Sequence, residues 1–169
     1  MMHALYLLSV WLHILAAVTW LGGMIFLVLV VAPVLRQTEY RHVAGKMLHQ
    51  AGVRFRWVGW ICFGILILTG TFNLVYRGFT WEDFWNWRLW VGPWRHTLAT
   101  KLLLVAFILL LSALHDFLIG PQATRLWQQH PDAPEVKRLR RQAAWIGRVN
   151  LLLALAVVAL GVMLVRGIP

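Results

Sequence analysis

Between Ala4 and Leu35 the chain carries no Asp, Glu, Lys or Arg, yet it places a histidine at position 13 and a tryptophan at position 20. An imidazole in hydrocarbon can ligate a metal or a haem iron, transfer a proton, or donate a hydrogen bond to another helix. At helical spacing His13, Trp20 and Met24 share one face, at i, i+7 and i+11. Imidazole and thioether both suit copper(I). At about 1.5 Å of rise per residue, however, His13 and Met24 are about 16 Å apart, two stations of a path rather than one site. Further along, Lys101, Ser112 and His115 share a second face, with Asp116 beside His115. Thr69, Thr71 and Asn73 close one apolar segment, and Arg148 and Asn150 open another.

Polar groups at membrane depth are costly and face the interior of a bundle, where they pair or bind. Depth sorts these residues into two clusters. The outer one holds His13, Lys101, His96 and Asn73, with Trp20 as a wall. The inner one holds His115, Asp116, Arg148 and Asn150, joined by Arg54, Arg56 and His49. His13 and His115 differ by roughly 15 Å in depth, so they do not ligate one metal ion or the two faces of one haem. Copper approaching from the exterior would meet His13, with His96 and Met24 as secondary candidates, and His115 is a separate metal candidate in the inner cluster. Alternatively, haem iron takes His13 while Lys101 receives a propionate. The plain readings stand beside these: Lys101 snorkels to headgroups, Asp116 and Arg148 form an ion pair joining two helices, and His13 donates to a carbonyl or to Asn73.

The elements that position these groups follow from composition. Of 169 residues, 60% are hydrophobic and only 13% charged, about half the usual charged share of a soluble domain. A chain this short cannot hide that much apolar surface in a soluble core. Four uninterrupted apolar runs reach the length of about 20 residues that a spanning helix needs, and they lack the alternation of barrel strands. The expectation is an all-α integral membrane protein: a four-transmembrane-helix bundle in a single domain over 1–169, with helices over roughly 5–34, 53–76, 97–120 and 143–166. The first run has no basic start and is far longer than a signal core, so it reads as a span. No internal repeat is visible, and the single Cys62 forms no intramolecular disulfide.

Four spans put both termini on one side. The other side holds eleven of the sixteen Lys and Arg, which makes it cytoplasmic by the positive-inside rule and leaves both termini on the exterior or periplasmic side. The formal charge of +10 is thereby accounted for without nucleic acid. The loop TEYRHVAGKMLHQAGVRFR reads as a helical lead-in to the second span, and QQHPDAPEVKRLRRQ as a solvated turn before the fourth. The exterior loop over 80–95 carries five of the eleven tryptophans, Trp81, Trp85, Trp87, Trp90 and Trp94. Tryptophan favours the membrane interface, so the loop reads as a short interfacial helix.

WLHILAAVTWLGGMIFLVLVVAPVLR resembles the first helix of the copper-resistance D (CopD) domain family, which shows a His, then Trp-x-Gly-Gly, then an apolar run ending at Pro. The resemblance continues at Lys101 with its Leu-rich sequel and at Arg148-Val149-Asn150 opening the fourth helix. It implies a compact inner-membrane protein of bacteria that binds, and translocates, copper, with a periplasmic copper protein or a larger membrane complex as partner. More distantly the chain is similar to HemJ-type membrane haem proteins, whose His and Lys correspond to His13 and Lys101. That similarity implies haem b and a redox role, within an electron-transfer assembly in one version. The chain lacks their Asn-Glu-x-Pro ending in helix four. A structural subunit without ligand is the third reading. No ATPase motif is present, so transport would be passive or coupled to another gradient.

Overall fold

The computed structural model describes residues 1–85, 92–130 and 133–167, and among these the secondary structure is entirely helical. Helix α1 spans Met2–Leu35, α2 spans Arg41–Tyr76, the short α3 spans Trp81–Trp85, α4 spans Pro93–Gln129 and α5 spans Pro134–Arg166. α1, α2, α4 and α5 are each long and apolar enough to cross a membrane. Their outward faces are apolar: Val18, Ile61, Leu68, Leu103 and Leu152 all stand exposed. That surface suits lipid, which costs hydrocarbon nothing to face.

The helices outrun the expected spans. α2 begins at Arg41, after a 3-10 turn over Thr38–Tyr40, so residues 41–56 of the lead-in are one continuous helix with the apolar part. Its 36 residues amount to about 54 Å, against a hydrocarbon core of about 30 Å. α4 continues nine residues past the expected end at 120, through Pro121, to Gln129. α5 starts at Pro134, where proline's missing N–H costs nothing because the first helical N–H groups have no partner anyway. α3 is capped by Asp83, whose Oδ2 accepts from the Thr80 backbone N–H and from Thr80 Oγ1, both at 2.9 Å. Trp87 and Trp90 of the tryptophan loop lie outside the described residues.

The chain divides into two compact units, Met1–Asp83 and Phe84–Pro169. In the first, α1 and α2 form an antiparallel hairpin. Tyr6 stacks on Tyr76 at 4.2 Å, Trp20 meets Phe63 at 4.8 Å with Gly59 beneath its ring, and Gly23 faces Phe55. In the second, α4 and α5 do the same. Trp94 Nε1 donates to the Leu164 carbonyl at 3.0 Å, Lys101 Nζ lies against Gly161, and Asn150 Nδ2 donates to Ser112 Oγ at 3.0 Å. Ala99, Ile108 and Ala154 are buried in this seam.

Two π-helical turns interrupt the hairpins' first helices, over Leu27–Val31 in α1 and Leu114–Ile119 in α4. Each precedes a proline, Pro33 or Pro121. Proline offers no N–H and its ring crowds the carbonyl four residues back. The helix widens instead: Ala32 N–H bonds to Leu27 O and Gly120 N–H to His115 O, both spanning five residues.

The two prolines are 88 positions apart (33 and 121), and the same offset relates much else. Buried Ser9 corresponds to buried Thr97, buried Trp20 to buried Ile108, and buried Met24 to buried Ser112. Half-buried His13 corresponds to half-buried Lys101, and each faces a glycine of its partner helix, Gly70 or Gly161. The hairpins thus share a register that their residue types conceal.

Candidate functional site

His13 sits on the inward face of α1, one turn beyond Ser9 and one before Ala16. Its ring lies against Gly70 of α2, with Cε1 3.4 Å from the place a Cβ would occupy, so a glycine is what lets the imidazole enter the seam. His13 Nδ1 is 2.8 Å from Thr69 Oγ1. Thr69 Oγ1 is in turn 2.6 Å from the Ile65 carbonyl and 3.4 Å from that of Leu66. A carbonyl cannot donate, so the single Thr69 hydroxyl proton points to Ile65 and the hydroxyl oxygen accepts from Nδ1–H. This sets the neutral ring's tautomer: Nδ1 carries the proton and Nε2 carries the lone pair. Ser9 Oγ, 3.4 Å from the Thr69 carbonyl, completes the polar group.

The expected partner of His13 was a carbonyl or Asn73, but the structure gives Thr69, one turn earlier on α2. Asn73 is half-buried, and its Oδ1 is enclosed with no hydrogen-bond partner among the described residues. A threonine bonded back to its own helix is a common interior residue. Its only sequence signal is that it stands four residues before Asn73 on the same face, which is where an acceptor for His13 was sought.

Trp20 is 8% exposed, and with Phe63 and Cys62 it fills the seam one to two turns below the imidazole. Cys62 shares a face with Gly59 and Thr69, at offsets of three and seven, and is buried between the levels of His13 and Met24. These side chains close the seam at that level. Among the described residues no group of three or more His, Cys, Asp and Glu is gathered as a metal cage.

The second unit holds the remaining expected residues. Lys101 is half-buried against Gly161, and His96 is exposed in the first turn of α4, where its carbonyl accepts from Thr100 Oγ1 at 2.9 Å. His115 and Asp116, both within the π turn, pair through Nδ1 and Oδ1 at 2.8 Å. With its Nδ1 at a carboxylate, a neutral His115 likewise presents Nε2 as the ligand nitrogen. Arg148 is exposed on α5, and the side-chain bond that joins α4 to α5 near this level is Ser112–Asn150. Sequence grouped Arg54 and Arg56 with this cluster; both belong to the first unit.

Fold and site together define an all-helical protein with four membrane-length helices and a histidine held by a hydroxyl inside an apolar hairpin. Residues 15–132 match the family described as "Domain of unknown function (DUF4149)", and the chain belongs to that family. Thr69 lies within the matched span and His13 just before it. A relative from Aquifex aeolicus (strain VF5), described as "Uncharacterized protein", is 31% identical over 156 residues, 92% of each chain. No solved structure matches.

Proposed function

We propose that this protein is a multi-pass protein of the bacterial cytoplasmic membrane, a four-helix bundle with both termini outside, that binds copper(I) at His13. The observation that carries the reading is the hydrogen bond between Nδ1 and Thr69 at 2.8 Å, which orients the imidazole within the seam as an outer partner orients a ligating histidine. Copper(I) accepts imidazole and prefers soft sulfur donors. The α1–α2 seam offers Cys62 and Met24 below His13, both buried, so copper is cargo passing between few-ligand stations. In the second unit, His96 in the first turn of α4 and His115, its ring oriented by Asp116, are further candidate copper ligands. The resemblance of the Trp20-Leu-Gly-Gly stretch to CopD domains supports the same direction, and an exterior copper protein is the corresponding partner. The Lys and Arg asymmetry supports the orientation.

The test is copper(I) competition with a chromophoric chelator on the purified protein, joined to copper accumulation in cells. The protein is expected to hold copper and His13→Ala to lose it, with altered copper tolerance. Purified protein that competes for no copper, and a His13→Ala strain with unchanged accumulation and tolerance, sink the proposal.

A further inference from the structure

The last turns of α4 and the first turns of α5 border an open cleft of about 560 Å³ that the copper reading does not use. Arg125 lines one wall and Arg138 the other, against a single carboxylate, Glu135. Lys137, Arg140 and Arg141 flank it on α5, so the surroundings are strongly cationic. Amides of Gln129 and Gln142 add neutral donors, and Leu126 and Leu139 give the cleft an apolar floor. Such a lining suits a ligand with an anionic head and an apolar remainder.

Position narrows the ligand. α4 has 37 residues, about 55 Å, and therefore extends well past a hydrocarbon core of about 30 Å. The cleft begins at Gln122, after the apolar run ends at Ile119, and on α5 it stops at Gln142, before that helix's apolar run opens at Trp145. It thus flanks the ends of both apolar stretches, at headgroup level. Trp127 marks the same level, with the Arg140 guanidinium 5.2 Å from its ring centre. Arginine's planar fork matches phosphate oxygens bidentately, and basic clefts between helix ends on the cytoplasmic side are where anionic headgroups bind.

We infer that this cleft binds the phosphodiester headgroup of an anionic phospholipid, with Arg125 and Arg138 gripping the phosphate from opposite helices. The inference needs membrane residence and is independent of copper.

The test uses the full chain in detergent, with retained lipid read by native mass spectrometry. Phosphatidylglycerol and phosphatidylcholine are offered in competition, and inorganic phosphate serves as a third probe. The protein is expected to retain phosphatidylglycerol preferentially. Arg125→Gln and Arg138→Gln each lower its affinity about fivefold, and the double variant about thirtyfold, at roughly 1 kcal/mol per cation. Both arginines are exposed, and an unchanged helical spectrum shows that the variants fold. Arg95→Gln with Arg166→Gln removes the same charge at the opposite end of the α4–α5 hairpin and is expected to leave retention unchanged. Equal retention of phosphatidylcholine, equal loss in the Arg95/Arg166 control, or displacement of the lipid by inorganic phosphate overturns the inference.

Discussion

Replacing Thr69 with valine removes one hydroxyl and keeps the branched shape of the side chain. The His13 Nδ1–H then faces a methyl group where it had an oxygen at 2.8 Å. A buried donor left without a partner costs about 1–3 kcal/mol, whereas hydrogen bonds between membrane helices average about 0.6 kcal/mol and reach about 1.7. The ring has an escape that an amide lacks: it can move its proton to Nε2. That escape caps the stability loss near about 1 kcal/mol, within the membrane range. The larger effect falls on binding, because Nε2 now carries a proton that copper must displace. Loss of an orienting partner of a ligating histidine costs about 10–100-fold in metal affinity. Nitrogen NMR of histidine-labelled protein in micelles reports the tautomer directly, and chelator competition reports the affinity. Thr69→Val is expected to shift His13 from the Nδ1–H to the Nε2–H form and to weaken copper binding by that factor. Thr69→Ser, which keeps the hydroxyl, restores both. An unchanged tautomer in the valine variant would refute the assignment of the hydroxyl as acceptor. An unchanged affinity beside a shifted tautomer would refute the role of Nε2.

Other outcomes follow from the packing. Gly23→Ala drives a Cβ into the Phe55 ring and is expected to destabilise the protein by about 1–3 kcal/mol in detergent-unfolding titrations. Gly22→Ala meets nothing within 4 Å and is expected to be neutral or to stabilise by up to about 1 kcal/mol. A double-mutant cycle on Ser112→Ala and Asn150→Leu is expected to give a coupling of about 0.6 kcal/mol, and no more than about 1.7. A value near zero denies that this bond joins α4 to α5. Cysteine introduced at Gly167 in a Cys62→Ser background is expected to react with an impermeant maleimide in intact cells, and at Gln37 only after permeabilisation. The reverse pattern inverts the orientation.

The four membrane-length helices were legible because each is a run of apolar residues with no competing signal. Their ends were legible only in part. The stretch before the second span read as a helical lead-in, and 41–56 does continue into α2, whereas the polar, amphipathic stretch 120–129 continues α4 through Pro121, a residue that signals a helix end in sequence. The residues of the site were legible one at a time, since a histidine or lysine in hydrocarbon announces itself. Their partners were not, because pairing depends on helix crossing and rotation. Thr69 rather than Asn73 meets His13, and Asp116 meets the adjacent His115. The common register of the hairpins was hidden for a related reason. Burial and backbone shape match at an offset of 88 while chemistry differs, as between Trp20 and Ile108 or His13 and Lys101.

The chain of bonds from His13 to Thr69 to the Ile65 carbonyl has a direction and an end. Protons cross membranes along relays in which every member can both receive and release one. Here the imidazole gives to the hydroxyl, the hydroxyl gives to a carbonyl 2.6 Å away, and the carbonyl, being no base, passes nothing on. A proton taken up at Nε2 therefore has no exit through Nδ1 and must leave by the nitrogen it entered. Along this route the seam is insulated against proton flow. A protein that moves an ion through such a seam can do so without short-circuiting the membrane's proton gradient at this histidine.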